Sequence, residues 1–361
     1  MNQIHQWIQR QLQQDNFSFA GFIANELLEA NQSLDFAIYA ESFADSFSRT
    51  QVIIGLEVWT PQMLEQLHRY LSYQCCNITN FTLIVIGHPR IASWWQQHQN
   101  LYQTVSYRII EVRDFPFLAN KVQPLARQSI DQEVWGRHVW YPSDTCNIDI
   151  IQNPVLYMAG TLPGSFDGQS AKTYLLLTMA KNRPRILVDR CWALPDKQEF
   201  ASWLDYATHW QDQTHVEDMT KVFDQEALEP YYANAKLTSM QASVDLYPNS
   251  FASVVRETVM TLPYGCISEK TFKAYMFQQF VIPTTYCGVS DLENCGFMFD
   301  HDFFDFDYQY IADYVARIRQ LQKQVAILTQ RPISDLELHR QTRRDMYEHN
   351  QRRALELTQL E

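Results

Sequence analysis

The chain has 361 residues, 46% hydrophobic and 19% charged, the profile of a folded soluble protein long enough for two domains with separate cores. Its formal charge is -12 and its pI about 5.3, so the field of the whole molecule repels polyanions and disfavours nucleic-acid binding unless one local groove is basic. The seven cysteines lack paired metal-ligand spacing, no segment offers the roughly 20 apolar residues of a membrane span, and the start "MNQIHQWIQRQLQQDNF" lacks the basic end and apolar run of a secretory signal. The expectation is a cytoplasmic protein whose thiols are free and buried.

In chain order, apolar runs rich in β-branched and aromatic residues predict strands at "SLDFAIYA" (33–40), "TQVIIGLEVW" (50–59), "FTLIVIG" (81–87) and "VSYRIIEV" (105–112). "TPQMLEQLHRYLSYQC" (60–75) predicts a helix. Met63, Leu64, Leu67, Tyr70 and Leu71 share a face, Thr60 fits an N-cap, and Pro61 fits the first helical position. Between 135 and 170 the pattern weakens. "YPSDTCNIDIIQNP" and "GTLPGSFDGQS" concentrate Pro, Gly, Ser and Asp and read as a linker or domain edge.

Alternation resumes with a strand at "TYLLLTMA" (173–180), a turn at "KNRPR" and a helix at "ILVDRCWAL". A further strand is expected around 251–256, a helix over 269–279 and a strand at "FVIPTTY" (280–286). A helix over 305–328 aligns Ile311, Val315, Ile318 and Leu321, and a polar helical stretch covers 334–359. Strand–helix alternation with short links predicts an α/β fold with parallel sheets. The expected organisation is an N-terminal acceptor-side domain over 1–150, a nucleotide-sugar-binding domain over 171–333 and a C-terminal helix over 334–361. Ligands of such sheets bind at the carboxyl ends of the strands, in a cleft where helices begin.

One constellation stands at such a place. Ser268 fits an N-cap, and Glu269 and Lys270 fall in the first turn of the following helix. A helix amino terminus suits an anion, Lys270 can neutralise a phosphate, and Glu269 can accept hydrogen bonds from a ribose diol. The plainer reading is an acid complementing the helix dipole beside a solvated lysine. Lys181, Arg183 and Arg185 follow a predicted strand, with Pro184 fixing the turn, and form a patch suited to a diphosphate. Arg256 and Glu257 leave the strand before the helix.

Other features carry less. Asp305 and Asp307 match an Asp-x-Asp metal signature, but acids just before a helix cap it and complement its dipole. His88 in "VIGHPR" and His138, beside Arg137 in "WGRHVWY", are candidates for proton transfer, although a lone histidine is more often structural. The run "RQTRRDMYEHNQRR" (340–353) offers a small basic surface, with Asp345 and Glu348 interleaved as on a solvated helix face.

The order "KNRPR" after a strand, "VVRET" ending another, "ISEKTFKAY" on a helix and "FVIP" on the next strand resembles the donor-binding half of the α-1,3-fucosyltransferases and related bacterial and phage glycosyltransferases, over about residues 173–330. The resemblance implies a GT-B fold of two Rossmann-like domains facing a cleft, a nucleotide-sugar donor, inversion at the anomeric carbon and no metal or other cofactor. Carried over by motif, Glu269 would bind the ribose hydroxyls, Lys270 and Arg185 (with Arg183 as alternate) the diphosphate, and Glu257 the sugar end. The family's tyrosine three residues before the glutamate is Cys266 here, with Tyr264 two earlier, so the packing around the donor differs. Glu41, Glu57 and Asp114, near predicted strand ends, are the candidates for the base. The expected acceptor is a cell-surface glycan. The alternatives are a phage-type enzyme acting on a hydroxymethylated DNA base and a non-catalytic nucleotide or glycan binder of the same fold.

Overall fold

A computed structural model of the chain describes residues 3–13, 16–23, 50–55, 59, 61, 64, 65, 67, 68, 81–98, 108–112, 151–158, 186–189, 250–255, 257 and 262–358. The chain divides into two compact units. One comprises 1–119, 262–268 and 357–361, and the other 120–261 and 269–356. Each carries a four-stranded parallel sheet. Among the described residues, no helix is long and apolar enough to cross a membrane.

In the first unit, β1 (Phe17–Ile23), β2 (Thr50–Gly55), β3 (Phe81–Ile86) and β4 (Arg108–Val112) lie side by side in sequence order. β3 is buried along its whole length, which is why it reads as an unbroken apolar run. The strand β1 was not expected. α1 (Gln3–Leu12) buries Trp7, Ile8 and Leu12 out of the Gln-rich start, and α2 (Ile91–His98) buries Ile91 and Trp95, one helical turn apart. Of the helix expected over 60–75, the described residues 61, 64, 65, 67 and 68 are helical, with Leu64 and Leu67 fully buried.

In the second unit, β5 (Asn153–Met158), β6 (Ile186–Asp189), β7 (Ser250–Val255) and β8 (Phe280–Pro283) take the order β6-β5-β7-β8. Two expectations are corrected here. The stretch read as a linker contains β5, paired on both sides. Pro154 is tolerated because it is the second residue of the strand, and pairing with β6 begins only at Val155. Residues 186–189, expected to open a helix, form a strand because they pair with Val155–Met158 of β5, an interaction that local helical spacing cannot register.

The helix after β7, α3 (Glu269–Met276), begins where expected and stops early. Gln278 takes a left-handed conformation (φ 51°), and the Met276 carbonyl accepts a 2.7 Å bond from Gln351. α4 (Gly288–Asn294) follows β8. The helix expected from 305 begins later, as α5 (Tyr314–Gln330), because the Asp313 side chain accepts from the Ala316 N–H at 2.8 Å and residues 307–310 form a 3-10 turn. The polar tail is two helices rather than one, α6 (Ile333–Thr342) and α7 (Arg344–Thr358). Its apolar residues Leu336, Met346 and Tyr347 join Phe251, Phe280, Phe304 and Phe306 in the core, so this tail belongs to the second unit as far as Glu356.

A buried polar cluster ties α6 and α7 to that core. Asp300 accepts from the N–H groups of Asp302 (3.2 Å) and Phe303 (3.1 Å) through Oδ1 and from Arg343 Nε (2.7 Å) through Oδ2. His339 Nε2 faces the same oxygen at 3.3 Å and therefore carries the proton, so Nδ1 accepts from the Tyr347 hydroxyl at 3.0 Å. Burial holds His339 below the ordinary histidine range, against the raising influence of Asp300. Burial pushes Asp300 up, but the Arg343 guanidinium and the His339 and Phe303 hydrogen bonds outweigh it and hold the carboxyl below its usual range. Both groups bind fewer protons folded than unfolded. Their contributions are complete above the unfolded pKa, about 6.5 for histidine and 3.9 for aspartate, and are lost as pH falls toward the depressed folded values. His339→Gln should therefore be less stable than wild type at pH 7, and the gap in urea midpoint should narrow on acidification to pH 5. A gap independent of pH contradicts this.

Candidate functional site

The second sheet changes winding direction between β5 and β7: β6 lies to one side of that pair and β8 to the other. Ligands of open parallel sheets settle at the carboxyl ends of the strands beside such a switch point. Met158 and Val255, the last residues of β5 and β7, are paired across it. Two residues beyond Val255 stands Glu257, 1% exposed, and its Oε1 accepts a 2.6 Å hydrogen bond from Thr271 Oγ1, itself 1% exposed. Thr271 is in the first turn of α3, beside the half-buried Lys270. The carboxyl edge of β7 and the amino end of α3 are thus joined through a carboxylate.

Glu269 is the first residue of α3, and Ser268 immediately precedes it as the half-buried last residue of the 262–268 segment. Of the residues expected at the site, Glu257, Glu269 and Lys270 belong to the second unit, and Tyr264 and Ser268 to the first. Lys181, Arg183, Arg185, Arg256, Arg137, His138, Glu41, Glu57 and Asp114 lie outside the described residues.

Tyr264 packs within the first unit. It is fully buried in the first unit, where its hydroxyl donates to the Trp59 carbonyl and its ring meets Trp94 at 5.2 Å and His88 at 5.5 Å. Cys266 beside it is buried, as are Cys287 and Cys295.

His88 also resolves as a structural residue. It is fully buried, its Nε2 accepts the Trp59 backbone N–H at 3.0 Å, and its Nδ1 lies 2.7 Å from the Gly265 carbonyl. An N–H donor at one nitrogen and a carbonyl at the other admit only the neutral Nδ1–H tautomer. Next to it, Gly87 (φ 91°) accepts from Ile267 N–H at 2.8 Å. A Cβ at Gly87 would lie 2.7 Å from the Ile267 carbonyl oxygen, so the approach requires glycine.

In the Asp-x-Asp pair the Asp305 carboxylate is engaged in local structure. Asp305 accepts from the Asp307 N–H at 2.9 Å with one oxygen and from Gln324 at 2.9 Å with the other. The basic run 340–353 is similarly committed: Arg343 to Asp300, Arg344 to Glu348 (2.6 Å), Arg353 to Glu356 (3.0 Å), and Arg340 to the Ser250 carbonyl (3.0 Å).

Sequence reasoning missed Thr271. It stands directly after the Ser-Glu-Lys triplet, but nothing local shows that its hydroxyl turns to a carboxylate fourteen residues earlier.

Comparison of the chain with protein-family models, with curated proteins and with solved structures gave no match.

Proposed function

We propose that the chain is a glycosyltransferase that moves a sugar from a nucleotide-sugar donor to an acceptor hydroxyl, with the donor held at the amino end of α3. The observation that carries this reading is the buried Glu257 carboxylate beside the switch point, bonded to the first turn of a helix that also bears Glu269 and Lys270. The likeness of "VVRET" and "ISEKTFKAY" to the fucosyltransferase donor site supports the same assignment. In it Glu269 holds the ribose diol, Lys270 and Arg185 the diphosphate, and Glu257 the sugar.

As the glycosidic bond to the diphosphate breaks, the anomeric carbon gains positive character and negative charge builds on the leaving phosphate oxygen. Lys270, Arg185 and the positive end of the α3 dipole stabilise that charge without a metal ion. The acceptor hydroxyl gives up its proton to a carboxylate as it attacks, for which Glu41, Glu57 and Asp114 are the candidates. The GT-B arrangement, inversion and a cell-surface glycan as acceptor form part of the same proposal.

Incubation with UDP-, GDP- and CDP-sugars tests the activity through release of free nucleoside diphosphate. One donor class should be turned over, and its nucleoside diphosphate should raise the melting temperature. Lys270→Ala and Glu269→Ala should each weaken that binding about tenfold or more, with the fold intact. Nucleotide affinity unchanged in both variants rules out the assignment at α3.

A further inference from the structure

Resting on the glycosyltransferase reading, we propose that Thr271 is a positioning residue that orients Glu257 toward the hydroxyls of the donor sugar, making the pair a determinant of sugar rather than nucleotide recognition. A threonine in the first turn of a helix can cap or face solvent. This one is 1% exposed and donates a 2.6 Å hydrogen bond to a carboxylate two residues beyond the preceding strand. The two oxygens of a carboxylate are rigidly related, so a bond that fixes Oε1 also fixes the direction of Oε2.

The position suits such a role. Glu257 follows the last residue of β7 by two, beside the point where the sheet changes winding direction, and β7 is buried at every residue. A second tether holds the same strand end: the Val255 carbonyl accepts from both the N–H (3.2 Å) and the hydroxyl (3.0 Å) of Thr284, which follows β8. The strand end and one carboxylate oxygen are thus each held by a hydrogen-bond partner, which restricts the orientations open to the carboxylate. A fixed carboxylate discriminates polyols well, because it accepts from adjacent hydroxyls only at the right spacing, and a site built for a hydroxyl strongly rejects a ligand lacking it.

The test compares Thr271→Val, which keeps shape and loses the hydroxyl, with Thr271→Ser, which keeps the hydroxyl. Affinities are measured for UDP against UDP-glucose and for GDP against GDP-fucose and GDP-mannose. Thr271→Val should lower affinity for the preferred nucleotide sugar about tenfold, leave the matching nucleoside diphosphate within about twofold, and be rescued by Thr271→Ser. Glu257→Gln should lose the same sugar preference, and adding Thr271→Val to it should change nothing more. Equal losses for sugar-bearing and sugar-free ligands, or no loss, overturn the inference. Should Thr271→Val fail to fold, Glu257→Gln decides: retention of the sugar preference overturns it. A wild-type protein that binds none of these ligands, nor CDP or a CDP-sugar, instead sinks the functional reading on which the inference rests.

Discussion

Replacing His88 with alanine is expected to lower the stability of the first unit by about 4 kcal/mol. Two buried groups lose their partner at once: the Trp59 N–H, bonded at 3.0 Å, and the Gly265 carbonyl, at 2.7 Å. Each orphaned group costs about 1–3 kcal/mol, and the emptied ring volume adds a cavity. Water cannot easily repair the loss, because His88, Trp59 and Tyr264 are all fully buried. His88→Asn is the informative companion. Its amide nitrogen can stand in for Nδ1 and keep the bond to Gly265 while giving up Trp59, so about half of the loss should return. Denaturant unfolding followed by tryptophan fluorescence checks both, since Trp59 and Trp94 lie in this cluster. An alanine variant as stable as wild type contradicts the structural assignment of His88 and returns it to the list of chemical candidates.

Replacing Arg317 with methionine should destabilise the second unit by about 2–3 kcal/mol. The side chain is 1% exposed and donates to three backbone carbonyls, Thr284 at 3.2 Å, Ile311 at 2.7 Å and Ala312 at 3.2 Å, with the Tyr286 ring 5.9 Å away. Burial brings its pKa down to about 10, against the raising influence of Tyr308, Asp313, Cys287 and Tyr286, so desolvation of the charge is already an expense to the fold. Methionine removes that expense and keeps much of the apolar stem. It leaves the fully buried Thr284 carbonyl without this donor, whereas Ile311 and Ala312, nearer the surface, can turn to water. Arg317→Lys should not rescue. A lysine is a compact, strongly hydrated charge that cannot reproduce the planar fork. A lysine variant matching wild type in thermal and urea unfolding would mean that only the charge matters.

How much of this was legible follows from where each signal lives. β3, β7 and β8 are buried along their length and so read as apolar runs, and the start of α3 was marked by the polar turn before Glu269. β5 was hidden by Pro154 and a loop-like context, and β6 by its brevity, since both are specified by pairing with strands distant in sequence. The Phe-rich stretch around 299–306 runs into the helix expected from 305. It is a core-forming segment, with Phe304 and Phe306 buried against Phe280 and a 3-10 turn before Asp313 caps α5.

At the site, residue types could be read and partnerships could not. Glu257 was visible as an acid leaving a strand, but its bond to Thr271 depends on the chain returning after the intervening segment 262–268. Tyr264 shows the converse limit. An aromatic near a motif suits a ligand pocket or a core equally well, and its residue type foretold neither the hydroxyl bond to Trp59 nor the contacts with Trp94 and His88.

The most direct measurement is a crystal structure of the protein with the nucleoside diphosphate that raises its melting temperature most. The account predicts diphosphate oxygens within hydrogen-bonding distance of Lys270 at the start of α3, with the ribose against Glu269. A nucleotide bound elsewhere, or Lys270 directed into solvent away from it, contradicts the account.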